Sequence, residues 1–193
     1  MGLNSEKDII EGCSRQDRAY QEILYRHYYG QFLKLCARYS KSMEDAEQLV
    51  NDGFLRIFRN IDTYKNSGPF EGWMRRIFVN TCLDYLKSKQ MKQESQVDYK
   101  EQIPEQGVLE ISPDAIRQIS FKELLTLIQT LPPMSKTVFN LHVFEGYSHK
   151  EIGALLEISE GTSSWHLHQA RHQLQQKIKK LNEVEPVYAS KRV

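Results

Sequence analysis

The chain has 193 residues, of which 40% are hydrophobic, and a formal net charge of +1. This composition supports packed cores and argues against a disordered chain. No apolar run approaches the roughly 20 residues that span a bilayer, and the first residues lack the pattern of an export signal, so we expect neither a membrane-spanning nor an exported protein. The near-neutral charge predicts weak binding to bare nucleic acid, because phosphate neutralisation supplies most non-specific affinity.

The apolar residues recur at helical spacing over two stretches, 5–90 and 114–181, with almost no strand-like alternation. Residues 91–113 between them are polar and irregular and contain helix-breaking prolines and a glycine. We therefore predict an all-α fold of two small helical domains joined by a flexible linker, with a short tail over residues 182–193. The first domain would be a helical bundle, and the second would be a four-helix domain.

Three helices are predicted in the first domain, over residues 15–39, 43–60 and 70–89. Ser42 is a candidate N-cap of the second helix, since a serine hydroxyl accepts a hydrogen bond from the free backbone N–H groups of the first turn. The sequence Asn-Ser-Gly-Pro at 66–69 predicts a turn before the third helix.

The helix predicted over 43–60 has a buried side and a polar side. The residues expected to be buried are Ala46, Val50, Gly53, Phe54 and Ile57. Leu55 lies among the polar residues of the other side. An apolar residue ringed by polar groups suits a small protein interface, and it is also found on ordinary solvated surfaces.

The helix predicted over 70–89 carries a polar strip formed by Arg76, Asn80, Asp84 and Lys87. Its spacing suits a nucleic-acid face and suits a solvated face equally well. The loop before this helix contains Tyr64 and Lys65. Such a loop can hold and stack an unpaired base, and a plain surface loop has the same composition.

The second domain is predicted to contain four helices, over residues 114–130, 134–145, 148–156 and 160–180. The prolines at 132 and 133 separate the first two. Ser148 and Ser159 are candidate N-caps of the last two helices, which a tight turn at 157–159 would join. Two short helices joined in this way predict a DNA-binding helix-turn-helix, whose second helix enters the major groove.

The second helix of this motif divides into two faces at 100° per residue. The stripe expected to be buried is Leu167, Ala170, Leu174, Ile178 and Leu181. The opposite face contains Thr162, an exposed Trp165, His168, Gln169 and His172, side-chain types that can contact base edges. Arg171 and His166 would flank this face and contact phosphates. The alternative is the solvated face of an ordinary amphipathic helix.

Other site chemistry is not predicted. The cysteines Cys13, Cys36 and Cys82 are odd in number and lack metal-ligand spacing, so we expect core residues. His168 and His172 share i,i+4 spacing but have no third ligand nearby, so we predict no metal site. The sequence has no Gly-rich phosphate loop, HExxH motif or nucleophile elbow, so we predict neither an enzyme nor a cofactor.

A resemblance to a known family is carried by four strings of residues. Three resemble region 2 of the extracytoplasmic-function (ECF) sigma factors of the sigma-70 family: YQEILYRHYYGQFLKLCARY, MEDAEQLVNDGFLRIFRNIDTY and FEGWMRRIFVNTCLDYLK. The fourth resembles region 4 of the same family: LPPMSKTVFNLHVFEGYSHKEIGALLEISEGTSSWHLHQARHQL. The four strings lie between residues 20 and 174 and follow the family's order. Larger sigma factors carry a further domain where this chain has its linker.

The resemblance implies a promoter-specificity subunit of bacterial RNA polymerase, which recognises −10 and −35 elements and initiates transcription of a dedicated regulon. The implied partners are the clamp coiled coil and the flap of core polymerase, promoter DNA and an anti-sigma factor. The protein would be a monomer when free, or bound 1:1 to the anti-sigma factor. Its expected location is the cytoplasm, at the nucleoid or held at the inner membrane by the anti-sigma factor.

The resemblance also assigns roles to residues. Core polymerase would be bound by Asp45, Gln48, Asn51, Asp52 and Leu55. The −10 element would be recognised and opened by Tyr64, Lys65, Arg76, Asn80 and Lys87. Together with the outward face found by angle, it gives a −35 site in the recognition helix, 160–177, and before it: His142, Thr162, Ser164, Trp165, His168, Gln169, Arg171 and His172.

The sequence departs from the family at Ser164, His166 and Gln169, where several members carry arginine or lysine. Fewer fixed charges should weaken phosphate binding and alter the preferred −35 sequence. Histidines at 142, 166, 168 and 172 lead to the hypothesis that promoter binding depends on pH. The alternative function is a dimeric helix-turn-helix regulator that acts on an operator without joining polymerase.

Overall fold

A computed structural model describes residues 5–91 and 121–184. The chain divides into two compact units, one containing each described range. Regular structure in both ranges is entirely helical, as predicted. Most of the predicted linker, the start of the predicted second domain at 114–120 and the tail beyond residue 184 lie outside the described residues, so the predicted domain boundaries stay predictions. No described helix is long and apolar enough to cross a membrane.

Within residues 5–91 the first unit has four α-helices, α1 Glu6–Ser14, α2 Arg18–Tyr39, α3 Met43–Asn60 and α4 Phe70–Met91, with a 3-10 turn over Ile61–Thr63 after α3. Serine and aspartate side chains begin the first three helices. Ser5 forms a capping box with Asp8, and Asp17 accepts a hydrogen bond from the backbone of Ala19. Ser42 caps α3 by accepting from the backbone N–H of Asp45 at 3.0 Å, which confirms its predicted role.

The predicted helix over 15–39 is wrong at its start. The chain forms two helices there, and Gln16 between them has a left-handed backbone with φ of 59°. Asp17 then begins a new helix as its N-cap. Aspartate is a preferred N-cap, so the sequence carried a signal for this start that periodicity alone overlooked.

The core of the first unit is aromatic. Phe78 of α4 stacks on Phe32 of α2 with ring centroids 3.9 Å apart and meets Phe54 of α3 edge to face at 5.3 Å. All five residues predicted on the inner side of α3 are buried, and Leu55 on its outer side is 51% exposed. The three cysteines are buried and none is in a disulfide bond, and burial raises the pKa of Cys13 to about 11.

The second unit contains α5 Phe121–Gln129, α6 Pro133–Phe139, α7 His149–Leu156 and α8 Glu160–Val184, with a π-helical turn over Asn140–Phe144 after α6. Pro133 occupies the first turn of α6, where its missing N–H costs nothing. The helix predicted over 134–145 is α-helical only as far as Phe139, and the π-helical turn forms the rest of it. The backbone N–H of Glu145 bonds the carbonyl of Asn140, five residues back, which widens the last turn.

The long helix α8 packs on the rest of its unit through one stripe. Leu167, Ala170, Leu174 and Ile178 are buried, as predicted from their angles. The prediction that Leu181 continues the buried stripe is wrong, because its side chain is 47% exposed. Leu181 lies in the last turns of a 25-residue helix. The helical angle of a residue does not show whether another element extends far enough to cover it.

Candidate nucleic-acid and protein interfaces

Hydrogen bonds from three side chains define the helix-turn-helix formed by α7 and α8. Ser148 and Glu151 form a capping box at the start of α7, with each side chain bonded to the other residue's backbone N–H. Ser159 caps α8 by accepting from the N–H of Thr162 at 3.0 Å. Glu157 between the helices has a left-handed backbone, with φ of 59°. These contacts confirm both predicted caps and the tight turn.

The predicted recognition face of α8 is partly exposed. Ser164, His168 and Arg171 are exposed, while Thr162, Trp165, Gln169 and His172 are half-buried. The prediction of an exposed tryptophan is wrong, since Trp165 packs edge-on against the ring of His166. Its indole Nε1 is buried without a hydrogen-bond partner among the described residues.

The helical angle predicted that His166 flanks the outward face and contacts phosphates, and this prediction is wrong. Its side chain is only 9% exposed, and its Nδ1 lies 3.0 Å from the hydroxyl of Ser135 on α6. Because α6 packs against α8, this position faces a neighbouring helix. His166 therefore joins two helices of the unit, and no role in DNA contact or in pH dependence of DNA contact is retained for it.

The π-helical turn presents His142 beside the helix-turn-helix. The Nδ1 of His142 lies 2.9 Å from the carbonyl oxygen of Tyr147. Its ring stacks on the ring of His149, the first residue of α7, with centroids 4.6 Å apart and planes inclined by 6°. The Nδ1 of His149 lies 3.0 Å from the hydroxyl of Ser163 on α8. Sequence reasoning identified His142 and missed His149, whose partners are 7 and 14 residues away.

The outer face of α3 presents four of the five residues predicted to bind polymerase. Gln48, Asn51, Asp52 and Leu55 are exposed there. Asn51 accepts a hydrogen bond from the hydroxyl of Tyr25 at 3.0 Å.

The fifth, Asp45, is half-buried and is held by contacts within the unit. Its carboxylate accepts a hydrogen bond from the hydroxyl of Ser42 at 3.0 Å. Burial and the Asp45 carboxylate together raise the pKa of Tyr85 to about 12. Asp45 therefore fixes the beginning of α3 as well as lying at its surface.

The residues predicted to contact the −10 element lie along α4 and in the loop before it. Lys65, Arg76, Asn80 and Lys87 are exposed. Tyr64 is half-buried, because its ring packs against Phe70 and Trp73 and its hydroxyl donates to the carbonyl of Gly68 at 2.6 Å. The aromatic ring therefore supports the loop from within.

A cleft between the end of α3, the 3-10 turn and α4 adds residues that the sequence analysis did not name. It encloses about 270 Å³, and its lining is Arg56, Asn60, Thr63, Trp73, Ile77 and Asn80. Of the predicted −10 residues, only Asn80 belongs to it. Arg56 is bound to the Asp84 carboxylate at 2.6 Å. The polar and aromatic lining suits a planar group that has both hydrogen-bonding edges and a π-face.

The described residues contain no group of three or more histidine, cysteine, aspartate or glutamate side chains that could hold a metal ion. Of the i,i+4 histidine pair considered in the sequence, His168 is exposed, and the ring of His172 is hydrogen-bonded to Gln176. The chemistry that these surfaces offer is hydrogen bonding, stacking and charge.

The fold and its surfaces define a class of protein. Two small helical units, one with a capped helix-turn-helix and both with exposed polar faces, are the features of a DNA-binding transcription protein. Residues 24–91 match the family model "Sigma-70 region 2", and residues 121–174 match "Sigma-70, region 4". The chain belongs to the sigma-70 family, in its ECF group, which confirms the resemblance found in the sequence. Proteins of this family are promoter-recognising subunits of RNA polymerase, and the chain is one of them.

Relatives with known names agree with this assignment. The chain is 31% identical over 160 residues to the ECF RNA polymerase sigma factor SigE of Mycolicibacterium smegmatis, an alignment that covers 81% of this chain and 61% of that protein. It is 27% identical over 188 residues to the ECF RNA polymerase sigma-E factor of Escherichia coli K12, covering 92% of this chain and 96% of that one. The chain thus spans less than two thirds of the first relative and nearly all of the second.

A solved structure has the same fold. CnrH, in its complex with the cytosolic domain of CnrY, matches with a TM-score of 0.50 and 15% sequence identity over 89% of this chain and 96% of CnrH. At this identity the likeness concerns the fold alone, and it supports the all-α architecture of two helical units.

Proposed function

We propose that this sigma factor initiates transcription of a dedicated regulon by dividing promoter recognition between its two units, without catalysing a reaction itself. The first unit would bind core polymerase and open the −10 element, and the second would read the −35 element. The observation that carries this proposal is the presence of both sigma regions in one chain, each with its own exposed polar face.

The polymerase-binding surface would be the outer face of α3. Leu55 is 51% exposed and lies one helical turn from Asn51 and Asp52, which are polar and exposed. An apolar anchor surrounded by polar groups is a common arrangement at the centre of protein interfaces. The opposite side of α3 is packed into the aromatic core, so the surface is carried on a fixed helix. The partner would be the clamp coiled coil of the largest polymerase subunit.

The cleft beside α4 would receive an unstacked base of the −10 element. Removing a base from the duplex costs a few kcal/mol, and a pocket that binds the base offsets part of that cost. Asn60, Thr63 and Asn80 supply polar groups to the cleft, and Trp73 supplies an aromatic surface. The exposed Lys65, Arg76 and Lys87 would contact the strand, while Tyr64 would hold the loop in place.

The recognition helix α8 would read the −35 element through Thr162, Ser164, Trp165, His168, Gln169, Arg171 and His172, with His142 beside it. Only Arg171 in this set carries a fixed positive charge. Base contacts and polymerase contacts would therefore supply more of the affinity than phosphate contacts do. The same unit would rest on the polymerase flap.

A second protein would hold the free chain inactive. CnrH was solved with the cytosolic domain of CnrY, and we propose that this chain likewise forms a 1:1 complex with an anti-sigma factor and is otherwise a monomer. Its place would be the cytoplasm, at the nucleoid or at an inner membrane that anchors the partner. Sedimentation equilibrium of the purified chain should give the mass of one copy; a stable dimer would contradict this.

The function is tested by run-off transcription with core RNA polymerase on a library of genomic fragments. Discrete transcripts should appear only when the protein is added, and Leu55→Ala together with Asp52→Ala should abolish them. Leu181→Ala is the matched control, because Leu181 is also an exposed helical leucine. Transcripts that persist in the Leu55 and Asp52 variants would refute the proposed polymerase surface. If no transcripts appear with the unmodified protein, the function itself would be refuted.

A further inference from the structure

His142, which the proposed function places beside the recognition helix, forms a stacked pair with His149, to which that function gives no role. Their rings are almost parallel, with centroids 4.6 Å apart, and come from two different elements, the π-helical turn and the first residue of α7. Both are half-buried beside the recognition helix. Short π-helical segments are rare and are frequently found at functional sites.

The hydrogen bond of His142 determines which ring nitrogen can exchange a proton. Its Nδ1 faces the carbonyl oxygen of Tyr147 at 2.9 Å. A carbonyl only accepts, so Nδ1 carries a hydrogen atom. The other nitrogen, Nε2, is therefore an acceptor in the neutral ring and becomes a second donor when the ring is protonated.

His149 connects this ring to the recognition helix and discourages a second charge. Its Nδ1 bonds the hydroxyl of Ser163, which is fully buried on α8. His149 occupies the first position of α7, where the positive end of the helix dipole disfavours a cation. Two stacked imidazolium rings would also repel each other. His149 is thus the supporting ring, bonded to α8, and His142 is the ring left for DNA.

We propose that His149 positions His142 as a proton-dependent DNA contact, so that protonation of His142 increases when −35 DNA binds. This inference rests on the proposed role of the second unit in −35 recognition. The protonated ring offers an Nε2–H and a positive charge to phosphate or to an acceptor on a base edge, and charge-assisted hydrogen bonds are stronger than neutral ones. The neutral ring offers a lone pair instead.

The groups around the pair leave this role to His142. The other titratable residues of α6, α7, α8 and the segments that join them, up to residue 181, are Lys136, Glu145, Tyr147, Lys150, Glu151, Glu157, Glu160, His166, His168, Arg171, His172, Lys177, Lys179 and Lys180. Glu151 already accepts the capping hydrogen bonds of Ser148, and His166 is bonded to Ser135. His172 is bonded to Gln176, and His168 is exposed without a stacking partner. The four histidines for which the sequence suggested pH dependence are thus in four different environments.

The test measures the affinity of the holoenzyme for a promoter duplex obtained from the run-off library, at fixed salt between roughly pH 6 and pH 8. An anion that favours the imidazolium form by a factor of about ten gives about sixfold tighter binding at the lower pH, since imidazole titrates near neutrality. The pH dependence of polymerase itself cancels in the ratio of unmodified to variant affinity.

The ratio of unmodified to His142→Gln affinity should change about sixfold over this pH range. The corresponding ratio for His149→Gln should change in the same direction. His142→Arg, with its fixed charge, should bind tightly at all pH values. His27→Gln is the control, because it replaces an exposed histidine in the first unit. The ratio of unmodified to His27→Gln affinity should not change with pH. Calorimetry in two buffers of different ionisation enthalpy should show up to about half a proton taken up by the unmodified holoenzyme, which is the largest uptake that a tenfold preference allows, and less by His142→Gln.

Two outcomes separate the inference from the function beneath it. If unmodified and His142→Gln holoenzymes both transcribe, but their affinity ratio is constant between roughly pH 6 and pH 8, the proton-dependent contact is refuted and the sigma function stands. If the unmodified holoenzyme produces no promoter-specific transcript at any pH, the proposed function fails first.

Discussion

Replacement of Gly53 by alanine tests the packing of α3 against α4. A Cβ atom placed on Gly53 would lie 2.2 Å from Cε1 of Phe78, whereas two carbons in contact are about 3.5–4.0 Å apart. The Phe78 ring would have to move by more than about 1 Å. It is fully buried, stacked on Phe32 at 3.9 Å and in contact with Phe54, so it has no free space to enter. We therefore expect an overpacking cost of about 3 kcal/mol.

Alanine also favours the helix over glycine by up to about 1 kcal/mol. The net loss of unfolding free energy is then about 2 kcal/mol. Urea unfolding followed by the fluorescence of Trp73, in a Trp165→Phe background, reports the first unit alone. Gly30→Ala and Gly72→Ala are matched controls, because a Cβ at either helical position meets nothing within 4 Å, and each should gain about 0.5–1 kcal/mol. A Gly53→Ala protein as stable as its background would refute the argument that the ring is fixed.

Three further predictions concern a cap, an ion pair and the buried thiols. Ser148→Ala should destabilise the second unit by about 1 kcal/mol in urea unfolding, because α7 loses its capping box; unchanged stability would contradict the assignment. Hydrogen bonds from Arg75 and Gln31 hold the pKa of Glu71 below 4.5, so the stability they provide is present above that pH and is lost as the pH falls. Glu71→Gln should therefore be less stable than the unmodified protein by less than about 1 kcal/mol at neutral pH, because the Glu71 side chain is partly exposed to solvent, and the difference should vanish in acid; a difference that grows in acid would contradict the lowered pKa. Cys13 and the other two buried thiols should react with a disulfide reagent only at the rate of unfolding; fast labelling of the native protein would contradict their burial.

The features that the sequence predicted well depend on residues close together in the chain. Ser42, Ser148 and Ser159 each cap a helix by bonding to a backbone N–H three residues ahead. The buried side of α3 follows from the 3.6-residue period, because one side of that helix meets a continuous aromatic core. Such local rules also located the helix-turn-helix and the exposed Leu55.

The features that were missed depend on residues far apart in the chain. Ser135 and His166 are 31 positions apart, and their hydrogen bond removes from the surface a side chain that helical angle had placed there. Three separate elements line the cleft beside α4, so no single periodic pattern marks it. Leu181 shows the converse case, since a residue on the apolar stripe is buried only if another element extends far enough to cover it. The assignment of individual residues to polymerase, −10 and −35 contacts stays a prediction.

The geometry of the helix-turn-helix also depends on a buried glycine of α7, Gly153. The turn before α8 brings the backbone of Ile158 against α7, where its N–H bonds the carbonyl of Gly153 at 3.1 Å. A Cβ on Gly153 would lie 2.8 Å from the carbonyl oxygen of Ile158, and backbone cannot move aside as the end of a flexible side chain can. Any larger residue at 153 must therefore displace the turn that leads into α8. The residues of the outward face supply contacts, but the absence of a side chain on Gly153 sets the angle at which α8 presents them.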